Sequence, residues 1–172
     1  MKMTDSGNFE SHFGCDAWEK WLIVAAGSSV LGIVSGDEYT IQNDAWNYFL
    51  ATNQDGALVG ATNPSYWVIT KESDDQYSIR DSSNRQHLQM TNEFKAATSL
   101  NNLSWERWRL QKRGNGKWCI ESNEFRGHFL KMDHQNLMSH TGCYDWESWR
   151  IVKASYSTPS IVSGQKYLIE NA

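Results

Sequence analysis

An all-β fold with internal threefold symmetry is predicted for this chain by three observations. Residues 8–44 return at 136–172 at a constant, gapless offset of 128. Tryptophans at 21, 67, 108 and 149 are spaced 46, 41 and 41 residues apart, which together make up that same 128-residue period. Between them, short apolar segments alternate with turn residues and no stretch keeps a helical period, so essentially no helix is expected. The long repeat is carried by Cys15, Trp18, Glu19, Trp21, Ile23 and Val24, which match Cys143, Trp146, Glu147, Trp149, Ile151 and Val152. Ile33-Val34-Ser35-Gly36 then matches Ile161-Val162-Ser163-Gly164, and Tyr39 and Ile41 match Tyr167 and Ile169. One structural unit therefore occupies 128 residues, and its first and last pieces are both present twice.

The unit divides into three subrepeats of about 42 residues, each reading as four short strands. The first strands are Tyr39-Thr40-Ile41, Tyr77-Ser78-Ile79 and Trp118-Cys119-Ile120, with Tyr167-Leu168-Ile169 as a further copy. The second are Phe49-Leu50, His87-Leu88 and Phe129-Leu130; the third are Leu58–Ala61, Phe94–Ala97 and Leu137–His140. The fourth are Trp67–Ile69, Trp105–Leu110 and Trp146–Ile151, where apolar residues alternate with Arg or Glu, an inward and outward pattern. Asn53-Gln54-Asp55-Gly56, Asn63-Pro64-Ser65 and Arg113-Gly114-Asn115-Gly116-Lys117 supply the turns. Three equivalent four-stranded units in one domain predict a β-trefoil, in which six strands close a barrel and three hairpins cap it. The domain organisation that follows is a complete trefoil at 37–164. An N-terminal overhang at 1–36 duplicates 129–164, and a C-terminal strand at 165–172 duplicates 37–44.

A family resemblance rests on one pattern: aromatic-Leu, a short turn, a small-residue strand, then Trp-Glu-x-aromatic-x-aliphatic. It reads Phe129-Leu130-Lys131-Met132, Asn136-Leu137-Met138-Ser139 and Trp146-Glu147-Ser148-Trp149-Arg150-Ile151, and recurs at His87–Leu110 and in part at Phe49–Ile69. This resembles the fascin-like branch of β-trefoils. The resemblance implies a non-enzymatic binding domain, and it also implies actin-filament binding and bundling. The Trp-Glu-x-Trp element occurs at 18–21, 105–108 and 146–149, while the subrepeat at Tyr66-Trp67 lacks the Trp-Glu pair. The Gln-x-Trp triplets of ricin-type sugar-binding trefoils are absent.

A trefoil needs twelve strands and the sequence offers about fifteen. Two surplus strands precede the first subrepeat, at about 8–11 and 18–24, and one follows the last, at 167–170. Segments 18–24 and 146–152 suit the same slot in a barrel, and only one can fill it. The other is expected to leave an apolar edge open to pairing. Trp18, Trp21, Leu22, Ile23, Tyr167 and Ile169 are the residues expected to carry self-assembly into an oligomer or filament. Packing on the chain's own barrel, or a place in a longer tandem array, are the alternatives.

Composition excludes several functions. The net charge of −4 is uneven, with 6 Lys and Arg against 13 Asp and Glu before residue 101, and 10 against 7 after it. Nucleic-acid binding is disfavoured, since neutralising phosphates needs clustered cations. No apolar run approaches the roughly 18 residues of a membrane span. The polar opening Met1–Gly7 reads as no secretory signal. Three cysteines are an odd number without metal spacing, and the repeat equivalents Cys15 and Cys143 each read as a small apolar core residue rather than half a disulfide, which favours the cytoplasm and leaves an extracellular location open. The five histidines lack ligand spacing, no Gly-x-Ser-x-Gly elbow is present, and no carboxylate pair stands out, so no metal, cofactor or catalytic residue is expected.

Binding is the function that remains, with a glycan or protein as ligand. The turns after the second strands carry Asn53, Gln54 and Asp55, then Asn92 and Glu93, then Asp133, His134 and Asn136. Short amides and carboxylates can grip adjacent hydroxyls, and Tyr39, Tyr77 or Trp118 is expected to stack on a pyranose face. A lectin-like carbohydrate-binding module is therefore the leading expectation. Head-to-tail self-assembly and actin binding are its rivals.

Overall fold

The computed structural model describes residues 32–154 in full, together with the backbone of short strands at 2–3, 9–10, 21–25 and 167–171. In chain order the strands are β1 (Lys2–Met3), β2 (Phe9–Glu10), β3 (Trp21–Ala25), β4 (Asp37–Asn43), β5 (Phe49–Thr52), β6 (Leu58–Ala61), β7 (Trp67–Lys71) and β8 (Tyr77–Asp81). They continue as β9 (His87–Met90), β10 (Ala96–Ser99), β11 (Arg107–Lys112), β12 (Lys117–Ser122), β13 (His128–Asp133), β14 (Asn136–Thr141), β15 (Ser148–Lys153) and β16 (Tyr167–Asn171). One compact unit is Ile33–Tyr156; the other combines Met1–Gly32 with Ser157–Ala172.

In the larger unit, β4, β7, β8, β11, β12 and β15 pair in a ring that returns to β4. Closure leaves the barrel no open edge. Each subrepeat adds one hairpin, β5–β6, β9–β10 or β13–β14, joined to the barrel through Gln42↔Phe49, Arg80↔His87 or Glu121↔Phe129. This is a trefoil-like, all-β architecture, and among the described residues the lone helical element is a short 3-10 turn, Ser104–Glu106.

The core is built in sets of three. Ile41, Ile79 and Ile120, then Leu50, Leu88 and Leu130, then Trp67, Trp108 and Trp149 are all fully buried. Each such indole hides on the order of 200 Å² of surface, worth about 5 kcal/mol of transfer free energy. Burial would strand its N–H without a partner. Trp67, Trp108 and Trp149 donate through Nε1 to the carbonyls of Leu50, Leu88 and Leu130 at 2.9, 2.8 and 3.0 Å. The fourth strand of each subrepeat is thereby tied to its own hairpin.

The same geometry explains the Trp-Glu-x-Trp element. Glu106 and Glu147 are buried, and their carboxylates accept from the N–H groups of Leu103 and Tyr144, three residues back, at 2.8 and 2.9 Å. An extended chain cannot make that contact, so the expected strands at Trp105 and Trp146 start later, at Arg107 and Ser148. The strand expected from Phe94 likewise begins at Ala96, because Phe94 sits in a turn at φ +57°.

The expectation that Cys143 is an apolar core residue rather than half a disulfide is overturned. Cys119 and Cys143 form a disulfide, joining β12 to the loop before β15. The sequence argument for a reducing compartment falls with it, since disulfides persist where conditions are oxidising. Cys15, the repeat partner of Cys143, lies outside the described residues.

Within the smaller unit, β3 pairs with β16 as Trp21↔Asn171, Ile23↔Ile169 and Ala25↔Tyr167. In the barrel, β15 pairs with β4 as Trp149↔Asn43, Ile151↔Ile41 and Lys153↔Tyr39. The two registers are identical after a shift of 128. The β1–β2 pairs Lys2↔Glu10 and Met3↔Phe9 repeat the β13–β14 pairs Lys131↔Met138 and Met132↔Leu137, with one extra residue in the turn. The surplus strands thus repeat two pairings found in the larger unit. Of the proposed assembly residues, Trp21, Leu22 and Ile23 lie on β3 and Tyr167 and Ile169 on β16, while Trp18 lies outside the described residues.

Candidate functional site

A polar cleft of about 460 Å³ opens between the β5–β6 turn and the β8–β9 turn. One wall is Thr52 to Gly56; the other is Ser83, Asn84 and Gln86. The first wall is held by Asn53, whose Oδ1 accepts from the N–H groups of Asp55 and Ala57 at 3.0 and 2.9 Å. Asn is suited to this because its short side chain substitutes for a backbone acceptor in the turn. Gly56 lies at φ +79°, and a Cβ there would stand 2.8 Å from Oε1 of Gln86, which covers it from the opposite wall.

Beneath the cleft, the buried Asp81 organises the second wall. Its carboxylate accepts from Thr52 Oγ1 at 2.6 Å, from Ser83 Oγ at 2.6 Å and from Ser83 N–H at 2.7 Å. Burial pushes the Asp81 carboxyl up, but these hydrogen bonds outweigh it and hold the group below the usual carboxylate range. Asn84 donates from Nδ2 to Thr52 Oγ1 at 3.1 Å, bridging the walls, and accepts from Gln86 N–H at 2.9 Å. Gln86 Oε1 is a buried acceptor with no hydrogen-bond partner among the described residues. The cleft therefore presents amides and hydroxyls on hydrogen-bonded turns, with no cationic side chain in its lining.

Of the residues singled out from sequence, Asn53 and Asp55 line this cleft together with Gln54. The others sit at the two corresponding hairpin turns. Asn92 and Glu93 are exposed, with Glu93 paired to Lys95 at 2.7 Å. Asp133 Oδ1 meets His134 Nδ1 at 2.9 Å, and Asn136 opens β14 opposite Asp133. At these turns rings fill the space. Phe94 stacks on His128 at 4.1 Å and meets Phe125 edge-on at 5.5 Å, while Trp105 lies 6.0 Å from Phe125. Trp46 lies 4.0 Å from His134 and 5.7 Å from Trp146, and Lys131 Nζ stands 4.5 Å over Trp146.

The aromatics expected to stack on a sugar do not line the cleft. Tyr39 is buried, its Oη accepting from Val34 N–H at 2.7 Å; Tyr77 packs against the core, and Trp118 lies under Lys112. Sequence reasoning missed the second wall, Ser83, Asn84 and Gln86, because it looked for ligand contacts only in the hairpin turns. The signal was present: Asn84 stands where the other subrepeats place Trp46 and Phe125. Among the described residues no group of three or more His, Cys, Asp or Glu is placed to hold a metal. Among them also, no helix is long and apolar enough to cross a membrane.

No family model matches the chain, and no curated protein matches it in sequence. Solved structures do resemble it. A salivary protein of the cysteine- and tryptophan-rich family from Culex quiquefasciatus is similar, with a TM-score of 0.62 and 24% identity over 70% of this chain and 96% of its own. SeviL, solved bound to the asialo-GM1 saccharide, gives 0.61 and 18% over 70% and 99%. The designed threefold-symmetric protein ThreeFoil gives 0.60 and 16% over 67% and 98%. The chain shares their fold.

Proposed function

We propose that this protein is a non-enzymatic, lectin-like module that binds carbohydrate in the cleft between the β5–β6 and β8–β9 turns. The observation that carries this reading is the cleft's lining: amide and hydroxyl groups from two hydrogen-bonded turns, with one buried acceptor left over at Gln86. A sugar offers adjacent hydroxyls that both donate and accept, which is what such a lining can satisfy. The glycan-bound structure of SeviL, on the same fold, supports the class. The Trp-Glu-x-Trp element behind the fascin-like resemblance is accounted for by folding, since Glu106 and Glu147 close loops and Trp108 and Trp149 anchor the core. It lends actin binding no support of its own. The Cys119–Cys143 disulfide favours an oxidising compartment for the function.

The test is glycan-array screening followed by calorimetry on the best binder. Asn53→Ala and Asn84→Ala are each expected to weaken binding by about tenfold or more, equivalent to about 1.4 kcal/mol. Full affinity in both variants removes the cleft from the function.

A second reading, self-assembly, is favoured by one observation: β3 and β16 pair in the register of β15 and β4. Either copy of a strand then fits the other's partner, in the same chain or in a second one. Light scattering across a hundredfold concentration range tests it. Growth in mass that is lost on deleting either duplicated end supports assembly, and a constant mass rejects it.

A further inference from the structure

We infer that the cleft is a single, monovalent site for one neutral pyranose, occupying the place that an aromatic ring fills at the two pseudo-equivalent junctions. This rests on the carbohydrate reading above and adds ligand class, orientation and number.

The three junctions can be aligned by their hydrogen bonds. After each first strand a buried polar side chain, Asn43, Asp81 or Ser122, accepts from the N–H three residues on. Those residues are Trp46, Asn84 and Phe125. In each hairpin turn one residue lies at positive φ: His134 at +56°, Gly56 at +79° and Phe94 at +57°. Two residues past the buried Leu130, Leu50 and Leu88 stand Met132, Thr52 and Met90. Three before the buried Trp149, Trp67 and Trp108 stand Trp146, Pro64 and Trp105.

At two junctions these four positions hold a Met and three rings, packed at centroid distances of 4.0 to 6.0 Å. At the third all four differ, as Thr52, Gly56, Pro64 and Asn84. The changes are coordinated rather than scattered. Thr52 replaces a buried thioether with a hydroxyl that donates to Asp81 and accepts from Asn84. Gly56 removes one ring, and Gln86 folds over it, as His128 lies against Phe94. Asn84 removes the second ring, and among the described residues nothing takes its place, so the cleft remains. A core that had merely eroded would leave an apolar hollow; here two of the four replacements, Thr52 and Asn84, bring hydrogen-bonding side chains.

The vacancy fixes the ligand's size and chemistry. Of the three rings missing here, Gln86 covers the place of one and Pro64 stands at the place of another, so the opening left at Asn84 suits one pyranose. Its hydroxyl edge faces Thr52, Asn84 and the unpartnered Oε1 of Gln86, which needs a donor. Asp55 lines the cleft, Asp81 lies beneath it and no Lys or Arg is in the lining, so carboxylated and sulfated sugars are disfavoured. The other two junctions carry their own rings in that space, which leaves one such site among the described residues.

The experiment uses the intact chain, calorimetry, and matched neutral and sialylated glycans. Asn84→Phe restores the residue type found at Phe125, so the variant is expected to fold, with its cooperative thermal transition retained, and to lose binding by at least a hundredfold. Trp146→Ala, at a ring-filled junction, is expected to leave affinity within twofold. Wild-type stoichiometry is expected at one, with neutral glycans preferred over sialylated ones by more than tenfold. Unchanged affinity in Asn84→Phe, a stoichiometry of two or three, or a preference for the sialylated glycan overturns this assignment while leaving carbohydrate binding intact. A wild-type chain that binds none of the glycans overturns the carbohydrate reading itself.

Discussion

Glu106 and Glu147 carry much of the local order of this fold, because each is a buried carboxylate that closes a loop onto a backbone N–H. Removing one leaves that donor unpaired and opens a hole beside an anchoring tryptophan. Glu147→Ala is expected to cost about 2 to 4 kcal/mol, read as a lowered urea midpoint at unchanged slope. Glu147→Gln, which keeps an acceptor, is expected to cost less than half of that. His87 sets an acid limit. Burial first, and then the nearby Arg80, lower its pKa below the ordinary imidazole value of 6.5, so the folded protein holds it neutral. The unfolded chain binds the proton more readily, so stability is full above pH 6.5 and falls as pH drops below it. His87→Leu is expected to flatten the stability profile between pH 6.5 and 5, measured by denaturant midpoints. Residues such as Trp67, Trp108 and Trp149 were legible in the sequence, because spacing alone marks a repeated core position. Asn84 and Gln86 were not read, since a polar residue in a turn has no signature until the rings at equivalent positions show what it replaces.

Hairpins are joined to one another by a repeated device with one exception. Thr98 Oγ1 donates to the Gly56 carbonyl at 2.7 Å, and Ser139 Oγ donates to the Phe94 carbonyl at 2.6 Å. At the third joint the equivalent residue is Gly60, whose own N–H donates to the Gln135 carbonyl at 2.8 Å. The backbones approach so closely that a Cβ on Gly60 would lie 3.0 Å from Gln135 Cα and 3.1 Å from Met132 Cε. Gly60→Ala is expected to destabilise by about 1 to 3 kcal/mol through overpacking, whereas Thr98→Ala costs about 1 kcal/mol; thermal unfolding separates them. The Cys119–Cys143 bridge acts on another element, closing a 24-residue separation within the third subrepeat. Cys143→Ser is expected to cost roughly 3 kcal/mol, and reductant is expected to lower the wild-type melting temperature by a similar equivalent. Spacing could not foretell that bridge, because Cys119 has no repeat partner and only the barrel brings it to Cys143.

At the scale of the molecule, the larger unit holds all twelve trefoil strands within residues 33–156. A chain trimmed to those residues is expected to fold cooperatively as a monomer; loss of its near-ultraviolet circular dichroism would mean that the overhangs belong to the core. The sequence also offered two candidates for the slot beside β4, and charge explains the choice between them. Arg150 donates from Nε to Asp44 at 2.7 Å, and Lys153 meets Asp37 at 2.5 Å. Their counterparts on β3 are Leu22 and Ala25, which can make neither pair. The apolar pattern that revealed the repeat could not discriminate the copies, since Trp, Ile and Val recur in both. The double change Arg150→Leu and Lys153→Ala makes β15 resemble β3, and hydrogen exchange at β4 is expected to rise as the two copies compete.

The distribution of indoles around the barrel has an optical consequence. Trp67, Trp108 and Trp149 sit sealed in the core, and Trp46, Trp105 and Trp146 border the two ring-filled junctions, but the open cleft has no tryptophan in its lining. A sugar settling there is expected to leave the intrinsic fluorescence of the protein dark to its arrival. A ligand that quenches or shifts that emission is instead reporting from a surface outside this cleft.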